Sequence, residues 1–276
     1  MSYLSLRNAN VVSSKTAPLA DDDIRRVAPS IFADGKHESR SDRYTYIPTI
    51  DVLNGLRKEG FQPYMAMQTR VRDDGKREHT KHLLRLRHVD HVVAVGQEVN
   101  EIVLLNSHDG SSAYQMRAGV HRFICSNGLV VGDDFADIRI PHKGNVIDQV
   151  IEGAFTVLDT FENVDTQRDG MKALTLDDGE QKAFARAALA LRYDEAVAPA
   201  PITDTDLLSI RRMDDRAPDL WTTFNRVQEN IIKGKVRGRS ATGKRITTRA
   251  VTGIDQDMKL NRALWVLAEE MRKLKA

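Results

Sequence analysis

The sequence predicts an α+β fold in which a curved antiparallel sheet, carrying a basic hairpin, is covered by a long helix and followed by a helical C-terminal region. Three observations support this. Between Phe61 and Ile140 apolar residues recur with a period of two, as in strands with one face buried. Turn-forming runs separate those stretches, Asn106-Ser107-His108-Asp109-Gly110 and Ser126-Asn127-Gly128 being the clearest. After Pro141 the apolar spacing becomes three and four, the period of an amphipathic helix.

The elements follow in order. Residues 1–45 hold turn formers and mixed charge, with a short helix around Asp22 to Val27, and read as a partly ordered arm. Pro48-Thr49 opens a helix whose Ile50, Leu53 and Leu56 share a face, and Gly60 stands where a left-handed C-cap residue belongs. In the next strand Met65, Met67, Thr69 and Val71 are expected inward, with Gln68, Arg70 and Arg72 outward. Its partner directs Leu84 and Leu86 inward and Leu83, Arg85 and Arg87 outward, across a polar loop from Asp73 to Lys81. Further strands are expected over 102–105, 113–118, 120–124, 129–131 and 136–140. Ile147, Val150, Ile151, Ala154, Phe155, Leu158 and Phe161 form the stripe of the covering helix, and Leu176 to Tyr193 forms another.

Two closely spaced prolines in Ala196–Pro201 favour an extended spacer, which divides a core domain, 46–195, from a helical module, 202–276. In that module Leu220, Trp221, Phe224, Val227 and Ile231 line one helix, ended by Gly234, and Leu260, Leu264, Leu267 and Met271 line the last. Trp221 and Trp265 are expected in the core.

The chain has 276 residues, 41% hydrophobic and 29% charged, with a net charge of +2, so neither disorder nor a fibrous class is indicated. No apolar run approaches the roughly 18 residues of a membrane helix, and Met1 to Asn10 lacks the pattern of a secretory leader, so a cytoplasmic protein without a membrane partner is expected. Cys125 is the single cysteine, which excludes an intramolecular disulfide and a cysteine-based zinc cage.

The nearly neutral total conceals a polarised distribution. Arg70, Arg72, Arg85 and Arg87 are placed on one face of the hairpin, with Lys76, Arg77 and Lys81 in its loop. Like charges opposed across a sheet repel, and an anionic backbone running over them would relieve that repulsion. The bland alternative is a solvated face whose arginines pair with Asp73, Asp74 and Glu78. A second basic segment, residues 233–249, holds Lys233, Lys235, Arg237, Arg239, Lys244, Arg245 and Arg249 with interleaved glycines and no acid. Glycines admit phosphates close to the backbone; a flexible basic linker is the competing reading. Ala241-Thr242-Gly243-Lys244 lacks the upstream glycine and preceding strand of a nucleotide-binding loop.

A third constellation comprises Asn106, Ser107, His108, Asp109, Gly110, Arg122, Cys125, Asn127, Gly128 and His142. His108 and Cys125 could act as base and nucleophile with Asp109 orienting the imidazole, or all could be turn formers beside a buried thiol. The pairs His79/His82 and His88/His91 are spaced to point to opposite strand faces, so no metal is expected; neither is a cofactor.

The elements Gly60-Phe61-Gln62-Pro63, Leu104–Gly110, Gly119–Gly128 and Pro141–Gly144 resemble the phage- and plasmid-borne proteins grouped as domain of unknown function 932, over roughly Pro48 to Tyr193. The resemblance implies a mobile-element context and no mechanism. Element order is, more loosely, similar to that of the Rad52-like single-strand annealing proteins. The resulting expectation is a nucleic-acid binding protein that prefers single-stranded DNA, with strand annealing in recombination as an extension, and with homo-oligomerisation compatible. The alternatives are a nuclease or transferase using the Asn106–Gly110 turn with Cys125 and His142, and an interaction protein that antagonises a host factor.

Overall fold

The computed structural model describes residues 2–3, 9–38, 46–69, 71, 76–91, 98–123, 127–131, 137–194 and 196–275. The chain divides into two compact units, the first formed by residues 1–161 with 252–254 and the second by 162–251 with 255–276.

Among the described residues the first unit is built on an antiparallel sheet of eight strands. They are β1 (Ser2–Tyr3), β2 (Ala9–Ser13), β3 (Phe61–Thr69), β4 (His82–His88), β5 (Glu98–Asn106), β6 (Tyr114–Arg122), β7 (Asn127–Val130) and β8 (Ile138–Ile140). The order runs from β1 to β7 without a crossover, and β6 carries two partners on one edge: β7 opposite Gly119–Arg122 and β8 opposite Tyr114–Met116. A register shift between Pro63 and Met65 bends β3, as bulged strands do, and the sheet curls. The α+β class and curved antiparallel sheet expected from the sequence are therefore present. The strands expected over 113–118 and 120–124 are one continuous strand, because Gly119 is accommodated without a break. The N-terminal segment supplies β1 and β2 as well as helix α1 (Asp21–Val27).

One face of the sheet bears α1, a 3-10 turn at Pro29–Phe32, α2 (Thr49–Lys58) and α3 (Val146–Leu158). Gly60 closes α2 with φ of +87°, and a Cβ there would lie 2.9 Å from the His88 ring, so a glycine is required twice over. Val52, Leu53 and Leu56 of α2, Val150, Ala154 and Val157 of α3, and Leu84, Leu86, Ile102, Leu104 and Val120 of the strands are buried, forming the core.

The opposite face is also buried, which corrects the expectation for the hairpin. All seven residues of β4 are inaccessible, with Arg85 3% and Arg87 2% exposed. Register pairs Met65 with Arg85 and Ala66 with Leu84, so the side assigned inward on β3 and the side assigned inward on β4 lie on opposite faces. Alternation identifies which residues share a side but not which side is wet, and here both are covered.

The second unit is helical: α4 (Phe161–Ala173), α5 (Asp178–Arg192), α6 (Asp204–Leu207), α7 (Leu220–Lys233) and α8 (Ile254–Lys275), with a small hairpin of β9 (Arg237–Arg239) and β10 (Arg245–Thr247). The stripe expected to end at Phe161 belongs to α3, and α4 is a separate, polar helix in which few apolar residues, Val164 and Met171 among them, face inward. Asp177 and Glu180 form a reciprocal capping box at the start of α5. α7 is buried from Leu220 to Ile231. Trp221, Phe224 and Trp265 meet at ring-centroid separations of 5.6–6.0 Å, with Trp221 and Trp265 almost wholly enclosed, as expected.

Candidate functional site

The second basic segment is a built structure. After α7, Gly234 and Lys235 both adopt positive φ, +59° and +60°, which turns the chain into β9. The β9–β10 register sets Arg239 opposite Arg245 and Arg237 opposite Thr247, so three arginines share one face of the ribbon, while Gly238 opposite Ile246 forms the other. The latter face meets the Pro199–Thr203 segment. Arg239 N donates to Pro201 O at 2.8 Å, and a Cβ on residue 238 would stand 2.0 Å from that carbonyl oxygen, so only glycine permits the approach. Between hairpin and segment lies a groove of about 1210 Å³, bordered by Pro199, Ile202, Arg237, Arg239, Arg245 and Ile246.

Arg237, Arg239, Lys244, Arg245 and Arg249 are exposed, as is Lys235. Among the described residues none of these six makes an ion pair, whereas Lys233 is bound to Glu229 at 3.0 Å and Arg212 reaches Glu229 and Asp215. Six of the seven cations expected to act in this segment thus remain available to an outside anion.

Arg85 and Arg87 of the first unit do not. Arg87 donates from Nε to Glu101 Oε1 at 2.9 Å and from Nη1 to Lys15 O at 2.8 Å, with its guanidinium 4.0 Å from the Tyr64 ring centroid. Arg85 Nη1 lies 3.5 Å from Glu101 Oε2 and donates to Leu129 O at 3.2 Å. They are internal cations held by a buried carboxylate and carbonyls. The sequence pattern missed this because Glu101 is 14 and 16 positions away and arrives only through β4–β5 pairing. Lys76 and Arg77 are exposed and Lys81 is half-buried in the preceding loop; Arg70 and Arg72 lie outside the described residues.

The Asn-Ser-His-Asp-Gly turn anchors a polar network beneath α2. Its centre is Thr49, the first residue of that helix, wholly buried. Its hydroxyl lies 2.9 Å from His82 Nε2, 3.1 Å from His108 Nε2 and 3.2 Å from Tyr114 OH, and it accepts from Asn106 Nδ2 at 3.0 Å. His82 Nδ1 faces two oxygens, Ser30 Oγ at 2.8 Å and Thr80 O at 3.1 Å, while Ser30 Oγ donates to Gln68 Oε1 at 2.7 Å. Those acceptors assign the proton to His82 Nδ1, leaving Nε2 to accept from Thr49. Asn106 Oδ1 accepts from His142 Nε2 at 2.9 Å. Tyr46, its hydroxyl donating to Ala33 O, packs edge-on to His108 at 5.0 Å; burial and the nearby Asp34 and Asp51 push its phenol up to about 12.

Burial holds these imidazoles neutral. His82 is lowered to about 4, and His108 to about 2, the latter also by neighbouring His82, His142 and His79; His142 is lowered as well. Asp109 is not the group that orients His108: Asp109 Oδ1 accepts from Ser111 N at 2.9 Å, and His108 Nε2 lies 3.1 Å from the Thr49 hydroxyl. Ser107 Oγ accepts from Ser112 N at 2.8 Å, and Gly110 turns with φ of +78°. Arg122 is buried, 3.8 Å from Glu98. Asn127 and Gly128 pair in backbone register with Arg122 and His121, and Cys125 lies outside the described residues. No cluster able to hold a metal ion is present among the described residues. Thr49, Ser30, Gln68 and Tyr114 carry no motif that could have placed them here, and His82 is marked in the sequence only by its spacing from His79, since the five come from five separate elements.

These features define a protein with a polar-cored, curled antiparallel sheet and a helical unit bearing a basic ribbon, in which no described helix is long and apolar enough to cross a membrane. Residues 36–265 match the family described as Domain of unknown function (DUF932), and the chain belongs to that family. It is 54% identical over 263 residues to UPF0380 protein YafZ of Escherichia coli (strain K12), covering 95% of this chain and 94% of that protein. UPF0380 protein YfjQ of the same organism is likewise 54% identical over 263 residues, with the same coverage. No solved structure matches.

Proposed function

We propose that the protein binds nucleic acid, single strands in preference, through the β9–β10 ribbon and the adjoining Lys235, Lys244 and Arg249. The observation that carries this reading is the direct opposition of Arg239 and Arg245 on an exposed ribbon with no carboxylate partner among the described residues. Opposed like charges are unfavourable across a strand pair, and a phosphate between them reverses the sign of the interaction. Strand annealing in recombination and a phage or plasmid origin are extensions of the same proposal, motivated by the resemblances rather than by geometry, and a cytoplasmic setting is proposed from the sequence pattern.

The test is salt-dependent binding of a labelled oligonucleotide by the full chain. For single strands the logarithm of affinity falls with the logarithm of salt by about 0.7 per neutralised phosphate, so R237A/R239A/R245A should reduce that slope by about 2. An unchanged slope, or no binding at low salt, would sink the proposal.

A further inference from the structure

We infer that the groove between the ribbon and the Pro199–Thr203 segment seats an unstacked base, so that the ligand is held by base and backbone together. This rests on the nucleic-acid reading above and specifies the kind of strand it selects. A surface that only grips phosphates needs cations and donors, yet this groove has an apolar wall. Pro199 is exposed, Ile202 is buried beneath it, and Ile246, 36% exposed, projects from the ribbon face that bears no charge.

Arg237, Arg239 and Arg245 border the same groove as Pro199, Ile202 and Ile246, so a strand whose base enters it has ribbon cations beside it for its flanking phosphates. The volume, about 1210 Å³, exceeds the roughly 300–1,000 Å³ typical of small-molecule pockets, so space for one base with its sugar is ample. A guanidinium plane stacks on the face of any base, and the apolar Pro199 and Ile246 surfaces pack against it without reading its edge, which makes the seat tolerant of sequence. Asp206 also borders the groove, its Oδ2 accepting from Thr203 N at 2.8 Å and Thr203 Oγ1 at 2.9 Å. Its carboxylate offers an acceptor for a base N–H, thymine N3–H included, and would repel a phosphate, which directs the backbone to the ribbon. Bases in a duplex are stacked and cannot enter.

Three fluorescein-labelled ligands of equal length, an oligothymidylate, a fully abasic strand and a duplex, separate the possibilities by anisotropy at low salt. The wild-type chain should bind oligothymidylate about tenfold more tightly than the abasic strand and the duplex. I246S, at an exposed position, should abolish that preference by bringing oligothymidylate affinity down to that of the abasic strand. R239A/R245A should weaken both single strands together. Equal binding of thymidylate and abasic strands, or of thymidylate and duplex, would overturn the base seat while leaving the phosphate reading intact. A preference that survives I246S would also overturn it. Failure to bind any ligand would overturn both.

Discussion

Replacing Thr49 with valine keeps the shape of the side chain and removes one hydroxyl, the hub of the buried network. Four polar atoms then face a methyl group: His82 Nε2, His108 Nε2, Asn106 Nδ2 and Tyr114 OH. Tyr114 retains a bond to Ile47 O at 3.3 Å, and Asn106 keeps His142 through its Oδ1. His108 is worse placed, because its Nδ1 is buried without a hydrogen-bond partner and loss of Nε2 would leave the ring with none. Each stranded buried polar group costs about 1–3 kcal/mol, so with His82 Nε2 and His108 Nε2 both stranded T49V should destabilise the protein by about 2–6 kcal/mol. T49S keeps the hydroxyl and loses only a methyl, at about 1 kcal/mol. Urea unfolding of both variants, followed by tyrosine fluorescence quenched or released in the first unit and by far-UV circular dichroism, measures the difference. If T49V costs no more than T49S, the hub assignment is wrong and the network is incidental packing.

Other consequences follow from the buried charges and imidazoles. His82 is depressed to about 4 from an ordinary value of 6.5, so its neutral form is favoured by the fold; that stabilisation is present above pH 6.5 and is lost as pH falls toward 4. The shift corresponds to a few kcal/mol, and urea midpoints should drop steeply between pH 6.5 and 4, less so in H82Q. E101Q leaves Arg85 and Arg87 without their shared carboxylate in a dry environment and should cost about 3–5 kcal/mol, whereas R237A/R239A/R245A, on the exposed ribbon, should leave the urea midpoint nearly unchanged.

Much of the architecture follows from local pattern. The period of two through β3 to β8, the glycine-bearing turns, the helix opened by Thr49 and closed at Gly60, and the tryptophans of the α7 and α8 stripes are read from neighbours a few residues apart. Hydrophobic periodicity and turn chemistry act at that range, so a linear reading captures them. The absence of acids between residues 233 and 249 is equally a property of the sequence alone, and it marked the ribbon cations that remain exposed.

Tertiary structure decided everything that depends on which distant residue arrives opposite. Arg85 and Arg87 show the same alternation whether they face water or Glu101, and only the β4–β5 pairing brings that carboxylate beside them. His108 carries the same turn motif whether Asp109 or Thr49 orients it, and the seat of α2 on the sheet selected Thr49. The charge of a side chain is written in the sequence. Its solvation and its partner are set by long-range contacts, and those determine whether a cation is internal structure or a surface for a ligand.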